Sequence, residues 1–594
     1  MHGVVEGRVA PTVPHPRPPR KPPPDGEGAH PPITALTLMR TPAWRDWLTR
    51  GGAQSYQALC PEEANRILDG IEFGVAVDFE GDRAVGRDAR NLPIDAGDVA
   101  KVTAIIAADV LAGKKAGPFD RPPFNPMCIA PIGCVGKANG GVRVIHHLSF
   151  LHGGDSVNSN VKAETYSLTN VGLAARAIVA LGRCCWLIKL DVEAAFKQVP
   201  VCPGDWPLLG FRWLTKFYYE RLLPFGLRSS CRLWELFAAA LHHLCDTQLG
   251  VAAPHFVLHY VDDFLFVVQG DDSAAADAML KQALAMCAAL GVPMAPAKTE
   301  GPTHCLTFLG IELDTGAMEA RLPAARLLSL RQLMVEWESK THATVTELQS
   351  LHGLLNFACA VVRPGRFYTR RIIAQAARLE ALQREGGAPR RGARSALALL
   401  PQAVREDVRW WREFLPTWGG SSLLYERDWQ HAARIELFTD ACGRGYGAAY
   451  GNRWIEGEWN PDELAAAHRK QRMSMPFLEL RALVLAAAAW GPLWRGKKII
   501  FRSDCDAVVK ALAKCRSKVA QSMHQLREFA TLACRHGFDF RCEHIPGVAN
   551  TIADVLSRDG DCAQFRALLP DAEPLPSPVP GVPLPDPRTA AIWQ

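Results

Sequence analysis

Residues Phe256 to Val268 read FVLHYVDDFLFVV, and this stretch decides the fold. Two apolar runs, Phe256–Tyr260 and Phe264–Val268, flank a short acidic step, and runs rich in aromatic and β-branched residues are typical of buried strands. Asp262 and Asp263 then fall in the turn between the strands. Carboxylates in such surroundings are costly unless positive charge compensates them. The stretch therefore predicts a hairpin that presents two acids to a cation, and a solvated turn is the plain alternative.

A third acid favours a cation site over a solvated turn. Asp191 closes the apolar run Trp186–Asp191, and a helical pattern over Ser230–His243 lies between that run and the hairpin. A strand, a helix and a hairpin with acids at the strand ends indicate an α+β catalytic domain. Mg²⁺ and Mn²⁺ take oxygen ligands, and two such ions in one site activate a hydroxyl and stabilise a leaving pyrophosphate. The acids together predict a two-metal site.

The motifs around these acids resemble those of reverse transcriptases. Tyr260 to Asp263 is similar to the family's Y-x-D-D motif, and Asp191 to Phe196 to its first aspartate motif. Leu223 to Leu227 resembles the L-P-F-G-L motif, and Phe308 to Gly310 the F-L-G element. Their order and spacing agree with the family. One departure is Ser230-Cys231, where the family often has Ala-Pro.

The resemblance implies a polymerase with fingers, palm and thumb, in which Asp191, Asp262 and Asp263 are the catalytic metal ligands. It implies that Phe196 blocks a ribose 2′-hydroxyl, although a core aromatic is the alternative. It also implies a basic pair, Lys137 and Arg143, that grips the triphosphate from a hairpin, although a merely solvated hairpin remains open. The nucleotide-binding residues implied by the resemblance are Lys137, Arg143, Phe196, Phe225, Gly226 and Lys298, of which Lys298 lies near the leaving pyrophosphate.

A second group of acids lies near the C-terminus, at the ends of predicted strands and on helices: Asp440, Glu479, Asp504 and Asp554. Singly, each is an ordinary surface acid. Their surroundings, Thr439-Asp440-Ala441, Glu479-Leu480, Ser503-Asp504 and Ala549 to Asp554, together resemble ribonuclease H. The resemblance implies four ligands for two metals that hydrolyse a phosphodiester.

Two further residues near this group stay open. Asp506 rivals Asp504, but its place after the strand predicts a helix N-cap. His544 corresponds to a histidine that aids product release in many ribonucleases H, yet the loop before Asp554 looks shortened, which places His544 on the strand side.

Composition excludes several classes of protein. The chain has 594 residues, of which 48% are apolar and 22% charged, with a net charge of +6, so wholesale disorder, a fibre and a small disulfide scaffold are excluded. The 17 cysteines include no C-x-x-C, which favours reduced thiols and an intracellular, cytoplasmic or nuclear, location. The most apolar stretch, Ala482–Trp490, is too short to span a membrane.

The predicted fold class is α+β multidomain, a right-hand polymerase followed by a ribonuclease H-like mixed α/β domain. The predicted boundaries are a Pro-rich basic tail over 1–33, fingers and palm over 34–320, a helical thumb and connection over 321–428, the ribonuclease H-like domain over 429–562 and a Pro-rich tail over 563–594. Asp314-Thr315-Gly316 imitates an aspartic protease motif but reads as a hairpin turn. His524 to Arg527 imitates a recombinase H-x-x-R but reads as an exposed helix.

The sequence thus predicts an RNA-directed DNA polymerase with ribonuclease H, using two Mg²⁺ or Mn²⁺ per site. Its expected partners are an RNA template, a DNA primer, RNA–DNA hybrid and deoxynucleotides, with no membrane. Arg143–Ser149, Phe308–Thr315, Val361–Arg366 and His544–Val548 resemble the DIRS and Ngaro branch of tyrosine-recombinase retrotransposons, whose recombinase would be encoded separately. The alternatives are a catalytically inactive, retroelement-derived nucleic-acid-binding protein and a protein with one active site of the two.

Overall fold

The computed structural model describes residues 32–84, 86–136, 140–150, 155–163, 165–385, 397–418, 420–423, 434–469, 472–514, 517, 519–558 and 573–574. They fall into two compact units. The first unit takes its residues from 1–169 and 188–302, and the second from 170–187 and 303–594.

The α-helices of the described residues are, in chain order, α1 (Thr41–Thr49), α2 (Tyr56–Leu59), α3 (Pro61–Phe73), α4 (Ala96–Leu111), α5 (Val171–Leu181), α6 (Ser230–Thr247), α7 (Ala274–Leu290), α8 (Ala324–Ser339), α9 (Val345–Ala358), α10 (Arg370–Glu385), α11 (Gln402–Thr417), α12 (Pro461–Ala467), α13 (Met475–Trp490), α14 (Asp506–Lys514), α15 (Ala520–His536) and α16 (Thr551–Arg558).

The strands are β1 (Arg87–Asp88), β2 (Lys115–Phe119), β3 (Cys128–Ile129), β4 (Ile132–Gly136), β5 (Val142–His146), β6 (Trp186–Asp191), β7 (Gly210–Trp213), β8 (Lys216–Glu220), β9 (His255–Tyr260), β10 (Asp263–Val268), β11 (Glu300–Thr303), β12 (Cys305–Phe308), β13 (Ile311–Asp314), β14 (Glu319–Arg321), β15 (His342–Ala343), β16 (Ala398–Leu399), β17 (Ser421–Leu423), β18 (Arg434–Ala441), β19 (Gly445–Tyr450), β20 (Arg453–Glu458), β21 (His468–Arg469), β22 (Arg472–Met473), β23 (Lys498–Ser503), β24 (Asp539–His544) and β25 (Glu573–Pro574).

The predicted acidic hairpin is present in the first unit. Strands β9 and β10 are antiparallel with Asp263 opposite Tyr260, so Val261 and Asp262 alone form the turn. The four-stranded sheet runs β11-β6-β10-β9, which makes the strand that ends in Asp191 a neighbour of the strand that begins with Asp263. Helix α6 packs against β9 because its apolar residues recur at helical spacing and are buried on one face.

The first unit also contains a five-stranded sheet, β1-β3-β7-β8-β2, and the separate hairpin β4–β5. Gly136 pairs with Val142 at the end of that hairpin next to its turn. Residues 137–139 at its tip lie outside the described residues.

The second unit contains a six-stranded mixed sheet in the order β24-β23-β18-β19-β20-β25. Strands β18, β23 and β24 are parallel, whereas β18, β19 and β20 form an antiparallel meander. Helix α13 packs on this sheet and is buried along nearly its whole length. The stretch Met475–Trp494 is long and apolar enough to cross a membrane, but 83% of its apolar window is buried inside the unit, as expected of a core helix.

The structure confirms one of the two interpretations of imitation motifs and contradicts the other. The turn reading of Asp314-Thr315-Gly316 is confirmed, because Asp314 ends β13, and its Oδ1 accepts a hydrogen bond from the Ala317 amide at 2.7 Å before β14 begins. The exposed-helix reading of His524 to Arg527 is wrong. Arg527 is 6% exposed on α15, because its guanidinium donates to the Phe367 carbonyl at 2.7 Å instead of facing solvent.

The N-cap prediction for Asp506 is wrong by one position. Asp506 is the first residue of α14 itself, and its carboxylate pairs with Lys510 one turn later. An acid in the first helical turn still interacts favourably with the positive end of the helix dipole, so this placement accounts for Asp506 without a role in the neighbouring acidic group.

Candidate active sites

The first site is built around the turn of the β9–β10 hairpin. Val261 has a φ of +57°, and this left-handed conformation is rare for a β-branched residue and occurs mainly where the surrounding structure enforces it. The next carbonyl along the chain, that of Asp262, accepts a hydrogen bond from the Val192 amide at 2.9 Å. The turn is thereby tied to the chain immediately after Asp191.

Asp191 is buried, and Lys298 neutralises it. The Nζ atom of Lys298 donates to both carboxylate oxygens of Asp191 at 2.8 Å, and this hydrogen bonding raises the pKa of Lys298. The lysine that the family resemblance places near the leaving pyrophosphate therefore contacts Asp191 directly. Position 298 lies in a short 3₁₀ turn before β11, so the sheet itself fixes this contact.

Asp262 and Asp263 sit in surroundings that disfavour their charge. Burial raises the pKa of both carboxyls, and the neighbouring acids raise them further, to about 6 in the case of Asp263. Lys189 and Lys298 oppose this rise without cancelling it. Acids that raise one another's pKa in this way favour a bound cation, and an all-oxygen donor set suits magnesium or manganese.

An aromatic wall lies beside these acids. The rings of Phe196 and Phe225 are 5.4 Å apart, and the guanidinium of Arg143 lies 4.7 Å from the centre of the Phe225 ring. Arg143 is also close enough to Asp262 to lower its pKa. The structure thus brings Arg143, Phe196 and Phe225 together, whereas their predicted partner Lys137 lies outside the described residues.

Gly226 is fixed by its surroundings. Its φ is +108°, and a Cβ atom at this position would lie 2.0 Å from the carbonyl oxygen of His146, so no larger residue fits. Asn158 holds the same loop, because its amide donates to the Gly226 carbonyl at 2.8 Å and its Oδ1 accepts from the Arg228 amide at 2.8 Å. Asn158 escaped the sequence interpretation because it lies in no recognisable motif.

The second site lies at the ends of β18 and β23 and near the start of α13. Asp440, Glu479 and Asp504 each offer one carboxylate oxygen, and these oxygens all lie within 4.8 Å of one another. Ser557 donates to Asp440 Oδ2 at 2.5 Å. The Glu479 Oε2 atom is buried and has no hydrogen-bond partner among the described residues. A buried oxygen without a donor fits a metal ligand.

The carboxylates of this site repel one another. Burial, followed by the charges of Asp440 and Asp504, raises the pKa of Glu479 to about 9. Burial also raises the pKa of Asp440 to about 6, although the Ser557 hydroxyl opposes the rise. Without a cation, this group therefore holds fewer negative charges at neutral pH than it has carboxyls.

The fourth predicted ligand is oriented differently. The carboxylate of Asp554 accepts a hydrogen bond from Arg558 Nε at 2.6 Å, and Asp554 is not in the group of three whose oxygens converge. His544 is the last residue of β24 and pairs with Ser503, which confirms its place on the strand side. The loop that follows passes close to the site, since a Cβ at Gly547 would lie 3.2 Å from Asp504 Oδ2.

Comparison with known proteins bears on the first site. Residues 151–313 match the family model described as "Reverse transcriptase (RNA-dependent DNA polymerase)", so the chain contains a reverse transcriptase domain. That range contains Asp191, Asp262 and Asp263 together with the loop of Phe225 and Gly226.

The relatives are distant. Polyprotein P3 of Commelina yellow mottle virus is 24% identical over 411 residues, which cover 68% of this chain and 19% of the polyprotein; the chain thus spans about a fifth of that relative's length. The foamy viral protease-reverse transcriptase in complex with dsDNA is 15% identical, with a TM-score of 0.45 over 86% of this chain and 98% of that one. The same protein in complex with RNA/DNA hybrid is 13% identical, with a TM-score of 0.44 over 88% and 64%.

Proposed function

We propose that the protein is an RNA-directed DNA polymerase whose active site lies in the first unit. The convergence of β6 and the β9–β10 turn carries this proposal, because it sets Asp191, Asp262 and Asp263 beside one another. The family match over 151–313 supports it. The reaction joins a primer 3′-oxygen to the α-phosphorus of a deoxynucleotide and breaks the bond to pyrophosphate, so negative charge develops where the cationic groups lie.

The three carboxylates would hold two divalent cations, which supply charge stabilisation and an activated hydroxyl when they are bound. Lys298, held on Asp191, adds a fixed positive charge at the side where pyrophosphate leaves. Arg143 binds phosphate oxygens from its position on the Phe225 ring. Phe196 packs against Phe225 and excludes a 2′-hydroxyl by its volume, which selects deoxynucleotides.

Primer extension tests this proposal. Purified protein is given an RNA template, a DNA primer, deoxynucleotides and Mg²⁺, beside the variant in which Asp262→Ala and Asp263→Ala are combined. We expect extension by the natural protein and none by the variant. Extension that persists in the variant, or is absent from both under Mg²⁺ and Mn²⁺, would contradict the assignment.

We further propose that the second unit contains a ribonuclease H that cuts RNA in RNA–DNA hybrids. The convergent oxygens of Asp440, Glu479 and Asp504 carry this proposal, and they would hold the divalent cation that supplies an activated water. Asp554 joins them on release from Arg558. Cleavage of a labelled hybrid that is lost in Glu479→Gln, while primer extension continues, is the expected result. Cleavage unaffected by this substitution would exclude the site.

A catalytically inactive nucleic-acid-binding protein is the alternative from another class, and so is a protein with one working site. The predicted ligand positions are all acids, namely Asp191, Asp262, Asp263, Asp440, Glu479, Asp504 and Asp554, and random decay would be expected to alter at least one. Binding of primer–template without either activity would favour the inactive protein. Binding should also weaken steeply with salt, since Arg and Lys contacts to phosphates release counterions.

The origin of the protein in a retrotransposon of the DIRS and Ngaro branch is also proposed here, on the local resemblances alone. The domain boundaries at 320, 428 and 562 belong to the same proposal. Expression of 429–562 alone tests the boundaries at 428 and 562, because a complete ribonuclease H domain should fold by itself and should melt at a higher temperature in Mg²⁺ than in EDTA.

A further inference from the structure

We infer that Trp234 is a positioning residue of the polymerase site, and that its indole N–H fixes the catalytic turn. The Nε1 atom of Trp234 donates to the carbonyl oxygen of Val261 at 2.7 Å. Val261 is the residue directly before Asp262, and no sequence motif singled out Trp234. The inference rests on the proposed polymerase function and assigns that site a residue which touches neither substrate nor metal.

The ring of Trp234 is held rigidly. Trp234 is fully buried on α6 and stacks on Phe237 with 6.2 Å between ring centres. Phe237 in turn meets the edge of Trp44 at 5.8 Å. Since aromatic neighbours in a close-packed core restrict rotation of the ring, the N–H is oriented towards Val261 before any substrate binds.

The acceptor of this hydrogen bond belongs to a residue in an unfavourable backbone conformation. Val261 has a φ of +57°, which a β-branched residue avoids unless other contacts enforce it. The peptide that joins Val261 to Asp262 receives the indole hydrogen bond at the Val261 oxygen. The following carbonyl, that of Asp262, receives the Val192 amide at 2.9 Å. Two hydrogen bonds from different elements therefore fix the direction of the Asp262 side chain.

A second contact from α6 reaches the same hairpin. Glu235, the next residue, accepts a hydrogen bond from His259 Nε2 at 2.9 Å. Helix α6 thus holds the turn through Trp234 and the strand before it through Glu235. Loss of the indole N–H alone should leave the hairpin folded but free the turn, because the strand contact remains.

The test substitutes Trp234→Phe, which keeps an aromatic ring and removes the N–H. Trp206→Phe is the matched control, since Trp206 is likewise buried in the first unit and donates its Nε1 to a backbone carbonyl, that of Val201, at 2.9 Å. Hydrogen–deuterium exchange on the full chain is followed in the peptide spanning Val261. We expect this peptide to exchange faster in Trp234→Phe than in the natural protein, and at the natural rate in Trp206→Phe. The two variants should have similar melting temperatures.

Kinetics provides the second measurement. Trp234→Phe should lower kcat of primer extension by about tenfold, as expected for a displaced catalytic group, and raise the Mg²⁺ concentration needed for half-maximal rate. The KM for primer–template should not change, and the control should match the natural protein. Exchange and kcat in Trp234→Phe equal to those of Trp206→Phe would overturn the inference. A natural protein that extends no primer refutes the polymerase instead, and exchange at Val261 still decides whether Trp234 holds the turn.

Discussion

A buried ion network around Glu220 offers the sharpest test of what stabilises the first unit. Glu220 ends β8 and is 4% exposed. Its carboxylate pairs with Lys115 at 3.3 Å and with Lys197 at 2.6 Å. Lys197 directly follows Phe196, so the network supports the proposed sugar-selecting residue. Glu220→Gln keeps the shape of the side chain and leaves both ammonium groups without their shared anion.

The size of the effect follows from the carboxyl's pKa. Burial opposes the charge of Glu220, but Lys115 and Lys197 outweigh it and lower the pKa from 4.5 to about 2. At about 1.4 kcal/mol for each unit of pKa, this is worth about 3 kcal/mol of folding free energy at pH 7. Removal of one partner from a buried ion pair typically costs about 3–5 kcal/mol, which agrees with the value from the pKa of Glu220. Burial also lowers the pKa of Lys197, which makes that lysine dependent on an ionised Glu220.

The dependence on pH has a definite sign. Because the folded pKa lies below the unfolded one, the stabilisation by Glu220 is complete above about pH 4.5 and is lost as the pH falls towards 2. Hydrogen–deuterium exchange of peptides from β7 and β8 measures it locally. At pH 7, Glu220→Gln should accelerate exchange by about 100-fold, since each 1.4 kcal/mol is tenfold. The difference from the natural protein should shrink at pH 3.

Asp120→Asn is the control, because it removes the exposed pair between Asp120 and Lys216, the first residue of β8. An exposed pair contributes little to stability, so this variant should exchange like the natural protein. The reasoning is refuted if the two variants differ by less than fivefold, or if the effect of Glu220→Gln is as large at pH 3 as at pH 7.

Three other substitutions have definite expected outcomes. Gly226→Ala sets a Cβ atom 2.0 Å from the His146 oxygen, so a lower melting temperature and at least a tenfold loss in kcat/KM for deoxynucleotides are expected. Glu479→Gln removes an acid whose pKa burial raises to about 9. In EDTA the melting temperature of the natural protein should fall from pH 5 to 9, because ionisation of Glu479 is disfavoured in the folded state. The melting temperature of the variant should depend less on pH and should not respond to added Mg²⁺. Arg527→Met leaves the buried Asp407 with one fewer cation, and urea unfolding should show a loss of about 3 kcal/mol; an unchanged midpoint would contradict a structural role for this arginine.

Local sequence patterns determined which residues form which elements. The β6 strand ends at Asp191 as predicted, and the two strands of the acidic hairpin lie within a residue of their predicted bounds. A strand of this kind can be recognised from the sequence because its signal, an apolar run followed by an acid, lies within a few consecutive residues. For the same reason, the sequence alone placed the turn at Asp314.

Only the tertiary structure decided which partners those residues meet. Trp234 and Val261, or Arg527 and Phe367, lie far apart in the chain, so no local period records their contact. Asp554 differs, because its carboxylate pairs with Arg558 four residues later on the same helix, a contact that helical spacing by itself predicts. A hydrogen bond depends on a few tenths of an ångström and on direction, whereas the hydrophobic pattern that places an element is satisfied by any well-packed neighbour. The sequence therefore determined which chemical groups each element carries, and the packing of α6 and α15 determined which distant partners those groups meet.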